Sequence, residues 1–210
     1  MVVYGIYYAL GLLAGAAAVT WLLSWPWAAP FYLLAAFCLY FFRDPERRIP
    51  AGAVAVSPAD GKVVAIRPDD AGGSRISIFL NIFDVHVNRT PIAGRVASVE
   101  YKKGQFLVAS KEQASHSNEQ NTIAVDGAIH NQPARVVFKQ IAGLIARRIV
   151  CYVKPGDVLQ AGQRIGLIKF GSRVDVFLGP EWAVAVHIGE RVAGGSSVIA
   201  RFERSGRGVA

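Results

Sequence analysis

The first 42 residues are apolar almost without interruption, and none of them is Asp, Glu, Lys, Arg or His. From Arg43 onward the chain changes to short runs of alternating apolar and polar positions, punctuated by Gly, Pro, Asn and Asp. The two textures predict two kinds of structure. The opening stretch MVVYGIYYALGLLAGAAAVTWLLSWPW is long enough, at about 1.5 Å per residue, to cross a hydrocarbon layer of roughly 30 Å as a helix. A second apolar run, AAPFYLLAAFCLYFF, is short for a full span and reads as a tilted return helix, a re-entrant helix or an interfacial segment. Pro26, Pro30, Trp25 and Trp27 mark the turn between the two runs. Residues 1–42 are therefore expected to form a membrane-associated helical hairpin. A secretory signal is the competing reading, and it lacks a basic stretch before the apolar run; buried helices of a soluble protein are the third.

Residues 43–50, RDPERRIP, carry two prolines that oppose a continuous helix and read as a linker. Beyond it, VAVSPADGKVVAI, SRISIFLNIFDVHVNRTPIAGRVASVEY, NTIAVDGAIH and ARVVFKQIAG show the period-two pattern of strands broken by turn residues. The expected fold is mainly β: a compact sandwich or part-open barrel over residues 51–210, preceded by the N-terminal hairpin. In this frame SPADG and GGSS read as hairpin connections. The segments Val153–Gly162 and Val186–Gly194 share a loose pattern, hydrophobic-x-x-G-[DE], that reads as an internal echo, two hairpins of one barrel.

Charge refines the picture. All of the 23 Lys and Arg and 15 Asp and Glu lie after residue 42, giving a basic extramembrane part with net charge +8. No basic run is interleaved with aromatics, so a basic domain beside anionic headgroups is the expected meaning, and no nucleic-acid partner. Arg43, Arg47 and Arg48 follow the apolar runs while nothing basic precedes them. The positive-inside rule then places the large part on the cytoplasmic side of the cell membrane. GxxxxGK and GxGxxG loops are absent from the sequence, as are HExxH and paired Cys/His spacings; no metal is expected, and Cys38 and Cys151 read as structural thiols.

Candidate chemistry is sparse. Asp60 in SPADG fits an Asx-type turn residue as well as an acid or base. His86 alternates within FDVHV and fits either a satisfied buried histidine or a proton carrier. In RVAGGSSVIA, Gly194-Gly195-Ser196-Ser197 is a turn on composition alone. It also places a serine hydroxyl after an unhindered glycine carbonyl, as attack of the chain on its own backbone requires. A Ser196–His86–Asp60 hydrolase would need a nucleophile elbow, which GGSSV lacks.

The ordered set of stretches changes the weighing. The apolar N-terminus ending in FFRDPERRIP, then SPADGKVVAI, FLNIFDVHVNRTPIAGRV, NEQN at Asn118–Asn121, VKPGDVLQAGQRIG and GGSS together resemble the phosphatidylserine decarboxylase family in its short form, over essentially the whole chain. The resemblance implies self-cleavage between Gly195 and Ser196. The products would be a β chain of residues 1–195 and an α chain of residues 196–210, whose first residue becomes a covalent pyruvoyl group. That group would do the work of a PLP aldehyde, with no PLP and no metal, by taking up the amine of the substrate as a Schiff base and drawing off electrons as CO2 leaves. Asp60 would match the SPADG aspartate implicated in maturation, and His86 the first histidine of the longer forms' DYHRVHMP-like segment. The second histidine, the base for cleavage there, is Arg89 here, and an arginine stays protonated. Either His86 serves both steps, or Asp60 acts more directly, or Ser196 relies on strain and an oxyanion site. Arg89 and Asn121 would then be substrate-binding, Arg89 through its donor fork to a carboxylate or phosphate.

The implied substrate is a serine-headed phospholipid, converted to its ethanolamine counterpart. The implied partners are the membrane, the two cleaved chains and a second copy of the protein in a homo-oligomer. A non-enzymatic, membrane-anchored β domain in which GGSS is only a loop is the alternative, and it would keep all 210 residues in one chain.

Overall fold

The computed structural model describes residues 2–69, 72–107, 114–143, 148–169 and 171–203. The chain forms two compact units, Met1–Glu46 and Arg47–Ala210.

In the first unit, α1 (Val3–Leu22) and α2 (Trp25–Phe41) form an antiparallel hairpin. The far end of α2 returns to the start of α1: Val2 N–H donates to Phe42 O at 3.0 Å, and the Tyr8 and Phe42 rings lie 5.6 Å apart. Gly5 permits this approach, since a Cβ there would sit 2.5 Å from Phe42 Cβ. The prolines do not form the turn. The bend falls at Leu23–Ser24, Pro26 occupies the first turn of α2, where its missing N–H costs nothing, and Pro30 lies inside the helix. Trp21, Leu22, Leu23, Trp25, Trp27 and Leu33 face outward. Helix α1 is long and apolar enough to cross a membrane, whereas α2, at 17 residues, covers about 26 Å.

The second unit is mainly β, as the alternation predicts. Its strands are β1 (Val54–Val56), β2 (Gly61–Pro68), β3 (Ser74–Leu80), β4 (Val87–Arg89), β5 (Gly94–Lys102), β6 (Gln120–Ile129) and β7 (Gln132–Ala142). They continue as β8 (Ile149–Cys151), β9 (Val158–Leu159), β10 (Arg164–Ile168), β11 (Ser172–Leu178), β12 (Trp182–Val184), β13 (Arg191–Val192) and β14 (Val198–Phe202). A short helix, α3 (Ala114–Ser117), interrupts them. An eight-stranded sheet, in the order β13-β2-β3-β11-β7-β6-β5-β9, curls into a half-barrel. Two three-stranded sheets, β1-β14-β12 and β4-β10-β8, complete the unit. The core lies on one face of the large sheet, where Ile76, Ile78, Val174, Val176, Phe138 and Ile123 are buried.

Two local expectations are corrected by this topology. SPADG and GGSS do not close hairpins. Each carries the chain from one sheet to another: β1 pairs with β14 while β2 pairs with β3, and β13 pairs with β2 while β14 pairs with β1 and β12. Turn chemistry gives the sharp reversal, but the partner of each strand is a distant segment. The two echo segments likewise place β9 and β13 on opposite edges of the large sheet, so they are equivalent but are not hairpins.

Candidate active site

The turn from Ala193 to Ser197 is pinned on both sides by one residue. Gly195 N–H donates to Ser57 O at 2.8 Å, and Ser57 N–H donates to Ser197 O at 2.8 Å. Inside the turn, the N–H groups of Ser196 and Ser197 both point to Ala193 O at 3.0 Å, and Ala193 N–H donates to Ser197 Oγ at 2.9 Å. Gly195 has φ +79, and a Cβ there would lie 2.9 Å from Arg89 Cδ; glycine is required by conformation and by space. Ser196 is half-buried, and its hydroxyl makes no hydrogen bond among the described residues.

Asp60 stands beside this turn because the loop from Ser57 to Gly61 is drawn tight. Ser57 Oγ donates to Ala59 O at 2.6 Å, and a Cβ on Gly61 would collide with Phe79 O. The Asp60 Oδ1 atom accepts from Gly194 N–H at 2.7 Å, one residue ahead of Gly195. Arg47 Nη2 lies 2.9 Å from Oδ1 and 2.8 Å from Oδ2, with side chains 15% and 17% exposed. Arg47 was hidden in what reads as a charged linker, and nothing local to RDPERRIP distinguishes it from Arg43 or Arg48.

Arg89 ends β4 and is buried; its Nη1 donates to Gly162 O at 3.0 Å while its methylene packs beside Gly195. Asn88, just before it, accepts from Gln140 Nε2 at 2.8 Å, and Gln140 accepts from Asn121 Nδ2 at 3.0 Å. This chain of buried amides links Asn121 to the strand that carries Arg89, with the Asn121 side chain bonded to Gln140.

His86 is buried three residues upstream of Arg89, about 10 Å along extended backbone. Its Nε2 accepts from Gly171 N–H at 3.2 Å, which leaves the ring proton on Nδ1, 2.9 Å from Asp84 O. Backbone groups thus hold the ring on both sides. Asp84 in turn accepts from Asn81 N–H at 2.9 Å and from Arg191, a pair the sequence did not point to.

The structure therefore gathers Asp60, Gly195, Ser196 and Arg89 at one turn, joined by Arg47, and sets His86 and Asn121 further back. Among the described residues no three His, Cys, Asp or Glu side chains converge as metal ligands. The last seven residues of the expected 196–210 fragment lie outside the described residues. Chemically, the turn presents a hydroxyl next to a glycine carbonyl, with a carboxylate and two cations within one or two residues of the bond between them.

Known proteins are similar in sequence over most of the chain. The phosphatidylserine decarboxylase family model matches residues 34–200. A phosphatidylserine decarboxylase proenzyme of Solibacter usitatus is 64% identical over 197 residues, covering 94% of each chain. Proenzymes of the same name from Nitrosomonas europaea and Desulfotalea psychrophila are 46% identical over 202 residues and 45% over 179, covering 91% and 82% of this chain and 90% and 82% of their own.

Proposed function

The chain belongs to the phosphatidylserine decarboxylase family, and from that premise we propose that it is a precursor that cleaves itself between Gly195 and Ser196 and then decarboxylates the serine headgroup of a phospholipid. The observation that carries the reading is the Gly194 N–H bond to Asp60, which fixes a carboxylate beside a glycine–serine bond whose glycine holds φ +79.

In the cleavage, the Ser196 Oγ attacks the Gly195 carbonyl carbon. The C–O bond forms, the C–N bond breaks, and the hydroxyl proton ends on the Ser196 nitrogen, turning the amide into an ester. Loss of the Ser196 Cα proton then breaks the Cβ–Oγ bond and frees Gly195 as a carboxylate. The enamine left at residue 196 becomes an imine, takes up water and releases ammonia, which leaves a pyruvoyl end. No oxidant or reductant is needed.

Asp60 is the group that takes the hydroxyl proton in this reading, because Arg89 occupies the place of a second histidine and stays charged. Arg47, bonded to both carboxylate oxygens, holds Asp60 oriented toward the turn. The residues suit the formation of the pyruvoyl group: a free serine hydroxyl, an unbranched neighbour and a pinned backbone. Once formed, that group supplies an electron sink for the departing carboxylate. His86 then carries the proton to the substrate carbon; Nε2 must exchange its Gly171 partner for that proton, and imidazole titrates in the right range. Arg89 offers positive charge to the headgroup. Asn121 acts through Gln140 and Asn88 on the strand that carries Arg89.

The outward-facing apolar side chains of the helical hairpin and the basic balance of the remainder support a membrane-anchored enzyme with its catalytic unit on the cytoplasmic side. The test is the intact mass of the purified chain under denaturing conditions. A fragment of residues 1–195, and a peptide of residues 196–210 lighter by one ammonia than its serine-started form, are expected. A chain that stays at 210 residues through prolonged incubation refutes self-cleavage and leaves the non-enzymatic β domain.

A further inference from the structure

The eight-stranded sheet reads the same from either edge. Exchanging β1, β2 and β3 with β4, β5 and β6, and β11 through β14 with β7 through β10, maps its strand order onto itself and swaps the two smaller sheets. The backbone bonds follow the exchange. Val63 N–H donates to Glu190 O and receives Gly189 N–H, at 2.9 and 2.8 Å; Val96 N–H donates to Asp157 O and receives Gly156 N–H, at 2.9 and 2.8 Å. Gly189 and Gly156 sit at φ +95 and +94. The sequence keeps a trace: VSPADGKV at Val56–Val63 aligns with RTPIAGRV at Arg89–Val96. The second unit is thus built from two interleaved copies of one motif.

In that frame the turn at Ser196 has a twin. Gly195 (φ +79) donates to Ser57 O at 2.8 Å, and Gly162 (φ +71) donates to Thr90 O at 2.9 Å. The next anchor is also shared: Ser57 N–H donates to Ser197 O at 2.8 Å, and Thr90 N–H to Gln163 O at 2.9 Å. Even the closing side chain matches, with Ala193 N–H on Ser197 Oγ and Gln160 N–H on Gln163 Oε1, both at 2.9 Å. From glycine to anchor the twin takes one step, 162 to 163. The turn takes two, 195 to 197.

We propose that Ser196 is a single-residue insertion in a duplicated loop, and that Ser197 is the positioning residue that holds the inserted residue for cleavage. Three residues occupy the span that two fill in the twin, so the surplus bulges between two fixed anchors. The Ser197 hydroxyl closes the bulge onto Ala193 N–H, a side-chain tie added to the two backbone bonds that the Ser196 and Ser197 N–H groups make to Ala193 O, and without it the bulge is held by those backbone bonds alone. The twin cannot cleave on two counts: it lacks the inserted serine, and the place of Asp60 is taken by Ala93. Arg89 spans both loops, donating to Gly162 O while its methylene lies beside Gly195.

This inference rests on the self-cleavage reading above, and the experiment separates the two. The full-length chain is made as wild type, Ser196→Ala, Ser197→Ala, Ser197→Thr and a deletion of Ser196; appearance of the 196–210 peptide is followed against time, and thermal midpoints are taken for the uncleaved forms. The deletion is expected to remain whole and to melt within about 4 °C of Ser196→Ala, the effect of one kcal/mol in a unit of this size. Ser197→Ala is expected to cleave about tenfold more slowly, and Ser197→Thr, which keeps the hydroxyl, within about twofold of wild type. In the Ser196→Ala background, Ser197→Ala should move the midpoint by no more than about 4 °C, so that slow cleavage is not slow folding. A deletion that fails to fold or melts more than about 10 °C lower overturns the insertion. Ser197→Ala cleaving at the wild-type rate overturns the positioning role. An uncleaved wild type overturns the function itself.

Discussion

Replacing Asp60 by alanine removes two interactions together. Gly194 N–H loses its acceptor at 2.7 Å, and Arg47 loses both oxygens at 2.8 and 2.9 Å. A hydrogen bond to a charged group contributes about 1.5–3 kcal/mol. The ion pair, with each side chain about one-sixth exposed, adds about 1 kcal/mol. The sum, about 3 kcal/mol, corresponds to a midpoint lower by about 6–12 °C for a unit of this size. Asp60→Asn separates the two contributions, since its amide oxygen still accepts from Gly194 while the charge is gone; about half the loss is expected.

The measurement belongs in the Ser196→Ala background, where every chain is whole and only stability varies. Arg47→Met alone and combined with Asp60→Asn completes a double-mutant cycle, with an expected coupling of about 1 kcal/mol. With Ser196 restored, Asp60→Asn and Asp60→Ala are both expected to leave the precursor uncleaved, while Arg47→Met slows cleavage without abolishing it. Cleavage of Asp60→Asn at the wild-type rate would refute the assignment of Asp60 as proton acceptor. An unchanged midpoint for Asp60→Ala would refute the pinning of the turn through Gly194.

Gly195→Ala forces a side chain into φ +79 and to within 2.9 Å of Arg89 Cδ; a loss of about 1–3 kcal/mol by thermal melting and an uncleaved chain on a denaturing gel are expected. His86→Gln retains an acceptor for Gly171 N–H and removes the titrating ring, so fragments should form normally while CO2 release from a labelled serine phospholipid falls about 10²–10⁴-fold. Equal loss of both activities would make His86 structural. Asp175→Ala strips the buried Arg173 of a carboxylate at 2.6 and 2.9 Å, with both side chains almost fully enclosed. A cost of about 3–5 kcal/mol by denaturant unfolding is expected, and Arg173→Met added to it should recover part of that loss.

Strand positions were legible because each run turns its large apolar side chains to one face, and alternation in RISIFL or RVDVF reports that directly, even though Ser77, Arg173 and Asp175 on the opposite face are buried too. Pairing was not. VAGGSSVIA has the composition of a hairpin, yet β13 and β14 bond to β2 and β1, more than a hundred residues earlier in the chain. Turn residues state how sharply the backbone reverses and say nothing about which strand receives it. The same gap hid Arg47: its meaning lies in Asp60, and Asp60 meets the turn only through a bond between residues 60 and 194. Ser196, Asp60 and Arg89 were each picked out from motifs, and their meeting at one turn is visible only in the fold; the buried amides of Asn121, Gln140 and Asn88 carry no local signal, because a polar residue in a strand reads as solvent-facing until its neighbours are known.

Arg89 is where the sequence and the structure bear on each other most directly. An arginine in the position of a proton acceptor would be a defect if that position had to accept a proton. In this fold it spans the two copies of the duplicated loop, one nitrogen on the Gly162 carbonyl and its stem beside Gly195. A charge that cannot be titrated suits that place, since the distance between the loops then does not depend on pH near neutrality. In the proposed self-cleavage the acid–base task then calls for a group that can change charge and already touches the turn. Asp60 meets both conditions, and its twin position, Ala93, meets neither; in the self-cleavage proposed above, one carboxylate and one inserted residue are the asymmetry that would set the cutting loop apart from its twin.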